Sequence, residues 1–333
     1  MALLLVMAVV VGITAKTESS ALAVPHSCAQ ELGMSTPDAT EAAKVPLLFV
    51  HGLWSRSDVW SEGSASMMDA VRAEQVHAVT FDYESTNSTW VAEGDTADRL
   101  AKTIVCYFLL YDEKVVVGAH SMGGLLARQS LSKTAYGVRV QDAVGLVITI
   151  GTPHKGSQLG GVSYGANFSL CYMMLFGQWD AARLCNTAES TKAVSAMRPG
   201  SPELASLPHF PDSVAVKAIA GEVKQESICL KWVNVCLRGR STGGDMVVAV
   251  SSATAEYTTR GMGDGKKVFA CTTAVVVPWA APWCGHKEML GARRVQDEVA
   301  ASLREYLAAQ PDPGPQPSAT PTPGASATPV PYP

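Results

Sequence analysis

The sequence predicts an α/β protein with a mostly parallel central sheet covered by helices on both faces. Three observations carry that expectation. Short apolar runs alternate with amphipathic stretches along most of the chain, the pattern of strand–helix–strand units. The apolar runs are continuous rather than alternating, as strands buried on both faces are. One of them, Lys114-Val115-Val116-Val117, continues through Gly118-Ala119-His120 into Ser121-Met122-Gly123-Gly124 and a helix-forming stretch. A strand there turns sharply into a helix with a serine at its apex.

Residues Ala2 to Ile13 are apolar but too few to span a bilayer, and polar and small residues follow up to Ala21-Leu22-Ala23. Residues 1–23 therefore read as a secretory signal peptide. The stretch lacks an early Lys or Arg, so a retained N-terminal anchor is the alternative. Residues 24–44 form an N-terminal extension, and the folded unit is expected over 45–309. Its first strand is Val45 to Val50, ending at His51-Gly52. A helical stretch from Ser64 to Arg72 precedes a strand from Val76 to Phe81. An amphipathic segment from Gly94 to Tyr111 leads to the strand before Ser121, then a helix from Gly124 to Lys133 and a strand from Ala143 to Ile150.

Between Gly156 and Pro211 the alternation stops. The stretch is rich in Gly, Ser and Met, and its length is that of an inserted cap or lid over a site. Met173 and Phe176 are its candidate substrate-binding residues, a decorated loop being the alternative. The sheet resumes at Ser213 to Ala220, followed by a loop from Cys229 to Cys236, a strand from Lys267 to Val277 and a closing helix from Glu288 to Ala308. Residues 310–333 collapse into Pro, Thr, Ser, Ala and Gly, a composition that cannot bury enough apolar surface to fold and predicts a disordered tail.

With 333 residues, 47% hydrophobic and 17% charged, the chain can bury one large core. A formal net charge of -4 and the lack of any Lys/Arg run exclude a nucleic-acid footprint and a basic membrane-binding patch. Neutral or weakly amphiphilic small molecules fit best, and a monomer is the expected state. All eight cysteines follow the proposed cleavage site, which suits disulfides in an oxidising compartment. Easy closure of short loops suggests Cys171–Cys185, Cys229–Cys236 and Cys271–Cys284, leaving Cys28 for Cys106. No Cys-x-x-Cys pattern points to zinc or a dithiol site. Asn87-Ser88-Thr89 and Asn167-Phe168-Ser169 match the pattern of glycan attachment.

A serine at such a turn needs small residues two before and two after it, and Ala119 and Gly123 stand there. Its hydroxyl becomes a nucleophile only beside a histidine oriented by a carboxylate. The sole histidine beyond the last predicted strand is His286, which makes it the candidate base; His51 and His120 precede any eligible acid and are read as structural. Among the carboxylates between Ser121 and His286, Asp142, Asp180 and Asp212 are poorly placed. Asp245, in Gly243-Gly244-Asp245-Met246-Val247-Val248, lies in a loop that can present it; Asp264 and Glu222 remain alternatives, with Glu256 in reserve. An oxyanion hole would draw on the amides of Met122 and Leu53. Trp54 and Trp283, with Trp60 and Trp279, are the candidate aromatic walls of an apolar pocket.

The runs Leu48-Phe49-Val50-His51-Gly52-Leu53-Trp54, Ala119-His120-Ser121-Met122-Gly123-Gly124, Gly151-Thr152-Pro153-His154-Lys155-Gly156-Ser157 and Gly244-Asp245-Met246-Val247-Val248 together resemble the secreted bacterial lipase/esterase branch of the α/β-hydrolase superfamily. The similarity spans roughly Val45 to Leu307. It implies the α/β-hydrolase fold, a triad of Ser121, Asp245 and His286, no organic cofactor, and carboxylic esters such as acylglycerols as substrates, with transient contact at a lipid interface. Two positions depart from the branch's pattern: Ala119 stands for a Gly, and Met246 occupies a place where Gly is frequent. Some relatives carry a structural calcium ion, and no cluster of Asp residues can be assigned to one. The protein is expected outside the cell, in association with the wall if the tail spans it. The competing readings are an acyltransferase using the same acyl-enzyme and a non-catalytic binding module on this scaffold.

Overall fold

Leu48 and Val50 face one layer of helices, while Leu47 and Phe49 face the other. That period of two, with every position apolar, is what a strand buried on both faces requires. A computed structural model of the protein describes residues 27–63, 66–157, 191–226, 228–230, 235–237, 241, 243–257, 264–273 and 282–310. Its main sheet contains β1 (Val45–Val50), β2 (Val76–Phe81), β3 (Val115–His120), β4 (Val144–Ile150), β5 (Ala215–Gln225) and β6 (Lys266–Thr273). The strands lie in the order β6-β5-β4-β3-β1-β2, and every neighbouring pair is parallel. The mostly parallel sheet with helices on both faces expected from the sequence is thus the architecture observed.

Two long helices, α1 (Thr96–Tyr111) and α2 (Met122–Leu131), cover one face. Leu100, Ile104, Leu125 and Leu126 pack there against Val115, Val117 and Ala119. The other face is covered by α3 (Arg293–Ala308) and a short helix, Met67–Val71. Val295, Val299, Leu303 and Tyr306 of α3 recur at helical spacing and meet Leu146, Ile148 and Ile219. Among the described residues, no helix is long and apolar enough to cross a membrane.

Several boundaries move from their expected places, each for a local reason. The helix expected from Ser64 begins at Met67 because the Ser66 hydroxyl caps it, accepting from the Asp69 amide at 3.1 Å. The helix expected from Gly124 begins at Met122, directly behind the apex serine. The strand expected from Ala143 begins at Val144, after a helical turn, Val140–Ala143. β5 runs to Gln225, beyond the expected Ala220, because Lys266–Thr273 pairs with it as far as that residue. The closing helix is broken at Ala292, behind a 3-10 turn, Glu288–Gly291. A hairpin of Thr134–Ala135 and Val138–Arg139, unforeseen in the sequence, turns on Tyr136 and Gly137, both at positive φ.

Of the stretch 156–211, expected as a cap, residues 156–157 and 191–211 are described. Ala193, Ala196, Met197, Leu204, Leu207 and Phe210 belong to the main core and pack with α1 and α2. Buried Arg128 of α2 ties this segment down, donating to the carbonyls of Pro208 at 2.8 Å and Leu207 at 3.3 Å, and to that of His154 at 3.3 Å. Met173, Phe176, Asn167, Trp279, the Cys171–Cys185 pairing, the signal peptide over 1–23 and nearly all of the tail lie outside the described residues.

Cys28 and Cys106 form the disulfide that joins the N-terminal extension to α1, and Cys271 and Cys284 form a second. Cys229 and Cys236 face each other across a small antiparallel hairpin, Ile228–Leu230 with Val235–Leu237, where the sequence suggested a loop; their side chains lie outside the described residues.

Gly118 on β3 leaves room for Phe49, which stacks on fully buried Trp60 at 4.5 Å between ring centroids. A Cβ at Gly118 would come 2.6 Å from the Phe49 ring. Gly118→Ala should therefore cost about 1–3 kcal/mol of stability as an overpacked core site, read as a lowered midpoint in chemical denaturation.

Candidate active site

Strand order reverses between β1 and β3: the chain runs from β1 outward to β2, then returns past β1 to build β3 through β6 on the other side. In open parallel sheets the crevice beyond the carboxyl ends at such a reversal is where ligands bind. Val50 of β1 is in register with Ala119 of β3, so Gly52 and Ser121, each two residues on, leave the sheet side by side. Ile150 of β4 is level with His120, bringing Gly151 to the same edge.

Ser121 sits at φ 53 and ψ -129, a region that residues with a side chain rarely occupy. Its amide donates to the Ile150 carbonyl at 2.9 Å. The turn is possible because three residues packed around it, Gly52, Gly123 and Gly124, carry no side chain. A Cβ at Gly123 would lie 2.4 Å from the His51 carbonyl oxygen, one at Gly124 would lie 2.2 Å from Thr152 Oγ1, and one at Gly52 would lie 2.8 Å from Ser121 Cβ.

His286 Nε2 lies 2.9 Å from Ser121 Oγ, and its Nδ1 lies 2.7 Å from Asp245 Oδ2. The carboxylate can only accept, so Nδ1 carries the proton and Nε2 is left to accept from the serine hydroxyl. Asp245 is buried and doubly held: its Oδ1 accepts from the amides of Val247 at 2.9 Å and Val248 at 2.7 Å. Its loop closes on itself through Asp245 N–H to the Val248 carbonyl and Val250 N–H to the Gly243 carbonyl. Met246 stands in that turn at φ 79, which explains why glycine suits the position.

The His286 loop is fixed from three sides. Its amide donates to the Asp245 carbonyl at 3.1 Å, the Cys271–Cys284 disulfide ties it to β6, and His120 Nε2 donates to the His286 carbonyl at 2.9 Å. His120 also packs against the His286 ring, with centroids 4.8 Å apart. Burial, then the repulsion that a protonated His286 would exert, pushes His120 down to about 3, so it stays neutral and serves as a support. His51 is held below its ordinary value chiefly by burial. The Tyr83 amide donates to its Nε2 at 3.1 Å, and its Nδ1 donates to the Gly52 carbonyl at 3.0 Å. His154, buried beside Thr149 Oγ1, is pushed well down by burial.

The remaining candidates fall elsewhere. Glu222 accepts from the Ser241 hydroxyl at 2.8 Å, Asp264 accepts from the Lys266 amide at 3.2 Å, and Glu256 pairs with His209 at 2.6 Å, so none of them faces His286. Met122 is the first residue of α2, and its amide has no acceptor within the helix. Leu53 follows Gly52 past the serine, and Trp54 is exposed at the same rim. One aromatic residue needs correction: Trp60 is wholly buried on Phe49. Trp283 is half-buried, edge-on to Phe269 at 6.1 Å and under the Arg294 guanidinium at 5.2 Å. Among the described residues no group of three or more His, Cys, Asp or Glu side chains could hold a metal ion. Tyr83 and Arg128 escaped the sequence reading, and Asn87 was marked there only by the glycan-attachment pattern; all three act through contacts more than twenty residues away.

The sequence profile of the alpha/beta hydrolase family matches residues 47–325. No protein of curated function matches the chain. Among solved structures, a Bacillus licheniformis lipase in mature form is similar at 23% identity, covering 70% of this chain and 86% of that one, with a TM-score of 0.46. A metagenomic carboxyl esterase is similar at 13% identity over 83% of this chain and 78% of that one, with a TM-score of 0.44. Lipase B of Aspergillus fumigatus is similar at 14% identity over 70% of this chain and 47% of that one, with a TM-score of 0.45.

His120 and His154 stay neutral in the fold, whereas the unfolded chain protonates them below about pH 6.5. Unfolding therefore takes up protons, and their contribution to stability, complete above that pH, is lost as the pH falls through the acid range. Between pH 6 and 5, where carboxylates stay largely ionised, urea-unfolding free energies should fall by about 2 kcal/mol per pH unit for two such histidines. A flat profile across that interval would contradict their neutrality.

Proposed function

Because the chain belongs to the alpha/beta hydrolase family, we propose that it is a secreted serine hydrolase that cleaves carboxylic esters, acylglycerols among them, through an acyl-enzyme on Ser121. The observation that carries this reading is the unbroken line from the Ser121 hydroxyl through His286 to Asp245, at 2.9 and 2.7 Å. A binding module would need no such alignment.

In the proposed reaction Ser121 Oγ attacks the ester carbonyl carbon while His286 Nε2 takes the hydroxyl proton. Asp245 stabilises the resulting imidazolium and keeps the ring from turning. The carbonyl oxygen becomes an oxyanion that the amides of Met122 and Leu53 receive. Collapse breaks the bond to the alcohol, which leaves with the proton from His286. Water then attacks the acyl-enzyme, His286 takes its proton, and the second collapse returns a proton to Ser121 and frees the carboxylic acid. The Cys28–Cys106 and Cys271–Cys284 disulfides support an oxidising, extracellular setting. Exposed Trp54 at the rim suits an apolar acyl group or a lipid interface.

A fluorophosphonate probe should label the wild-type protein and not Ser121→Ala, and p-nitrophenyl esters should be turned over only by the former. The thermal midpoint of Ser121→Ala should stay within a few degrees of wild type, since one hydroxyl is removed from a turn that the backbone holds. His286→Ala should be comparably inactive, and Asp245→Asn should retain a trace. Undiminished ester turnover by Ser121→Ala would overturn the assignment.

A further inference from the structure

Six residues, His51 to Arg56, join β1 to a 3-10 turn, Ser57–Trp60, and carry the Leu53 amide past the serine. Two features make this loop costly to hold. Gly52 is pressed so close to Ser121 that no side chain fits between them. Trp54, a bulky residue, is left at φ 52. Inside the loop the Gly52 carbonyl accepts from the Ser55 amide at 3.4 Å and from His51 Nδ1 at 3.0 Å, and neither bond reaches the Leu53 or Trp54 backbone.

Its shape is imposed from outside, by the segment that follows β2. Tyr83 Oη donates to the His51 carbonyl at 2.7 Å, and its ring stacks on the His51 imidazole at 4.2 Å. Four residues on, Asn87 Nδ2 donates to the Ser55 carbonyl at 2.6 Å. Both side chains are buried, and the segment carrying them is anchored by Trp90 and Val91 in the main core. The two ends of the loop are thus gripped by two donors on one short turn. Between the grips lies the amide that must meet the oxyanion.

We propose that Asn87 and Tyr83 are positioning residues that set the Leu53 amide against the developing oxyanion, with Asn87 as the specific clamp. This rests on the ester-hydrolase reading above. Displacing one donor by a fraction of an ångström weakens an interaction made only in the transition state, so the loss falls on kcat and leaves KM nearly alone. The same bond occupies the amide nitrogen of the Asn87-Ser88-Thr89 sequence, which in the folded protein grips the loop and is not free to carry a glycan.

The test compares wild type, Asn87→Asp, Asn87→Ala and Tyr83→Phe on p-nitrophenyl acetate, with rates expressed per site titrated to completion by a fluorophosphonate. Asn87→Asp sets an oxygen against the Ser55 carbonyl and should lower kcat by about tenfold or more with KM within about twofold. Affinity for an alkyl boronic acid, which mimics the tetrahedral state, should fall by the same factor as kcat/KM. Tyr83→Phe, which deletes a single oxygen, should shift the same quantities in the same direction and tests the grip independently if Asn87→Asp does not fold. Fewer titratable sites with unchanged kcat per site would mean a merely structural role and overturn the proposal, as would boronate affinity unmoved in all variants. Wild type that neither labels nor hydrolyses the ester would instead overturn the underlying reading, and the clamp with it.

Discussion

A serine held at φ 53 and ψ -129 between a buried strand and a buried helix is the constraint around which the rest of this molecule is arranged. Such a backbone conformation costs about 1–3 kcal/mol and persists only where its surroundings over-determine it. Here they do. Every residue of β3 is buried, the Ser121 amide is bonded to β4, and the glycines at 52, 123 and 124 bring the backbone of β1 and the Thr152 side chain into the space that side chains would otherwise fill. The strain lifts one hydroxyl clear of the sheet edge, at the reversal of strand order, where nothing else of the core competes for the space.

Around that fixed point the acid and the base arrive from the far half of the chain and position each other. The Asp245 carboxylate spends one oxygen on two backbone amides and the other on His286, so it cannot rotate without losing bonds. The His286 backbone is bonded in turn to the Asp245 carbonyl, and His120 supports it from the serine's own strand. Gly151 and Gly221 make the convergence possible, since a Cβ at the first would press on His286 Nδ1 at 3.1 Å and one at the second would strike the Cys284 carbonyl at 2.1 Å. Neutral His120 beside this centre adds a hydrogen bond without adding charge that would compete with the imidazolium formed on His286.

The parts legible in the sequence were those with a local physical signature. Continuous apolar runs marked the buried strands, and the small residues flanking Ser121 marked a turn that larger ones would forbid. Exclusion along the chain singled out His286, and the glycines before Asp245 marked a loop able to present a carboxylate. Aromatic and methionine residues were less legible, because an apolar side chain suits a pocket wall and a core equally. Trp60 went to the core, and apolar side chains from Ala193 to Phe210 join the main core cluster. Arg128 and Tyr83 had no signature, and Asn87 carried only that of a glycan site, since each satisfies carbonyls that are distant in the chain.

By itself the sequence determined the class of fold, the strand-to-helix turn at Ser121 and the residue types available for its chemistry, because hydrophobic periodicity and backbone sterics act over a few neighbouring positions. Only the tertiary structure decided which carboxylate faces His286, which aromatic rings are buried, and which side chains grip the loop beside the serine. Those outcomes depend on hydrogen bonds and contacts between segments up to 166 positions apart, and distance along the chain says nothing about them until the parallel sheet brings their ends to one edge.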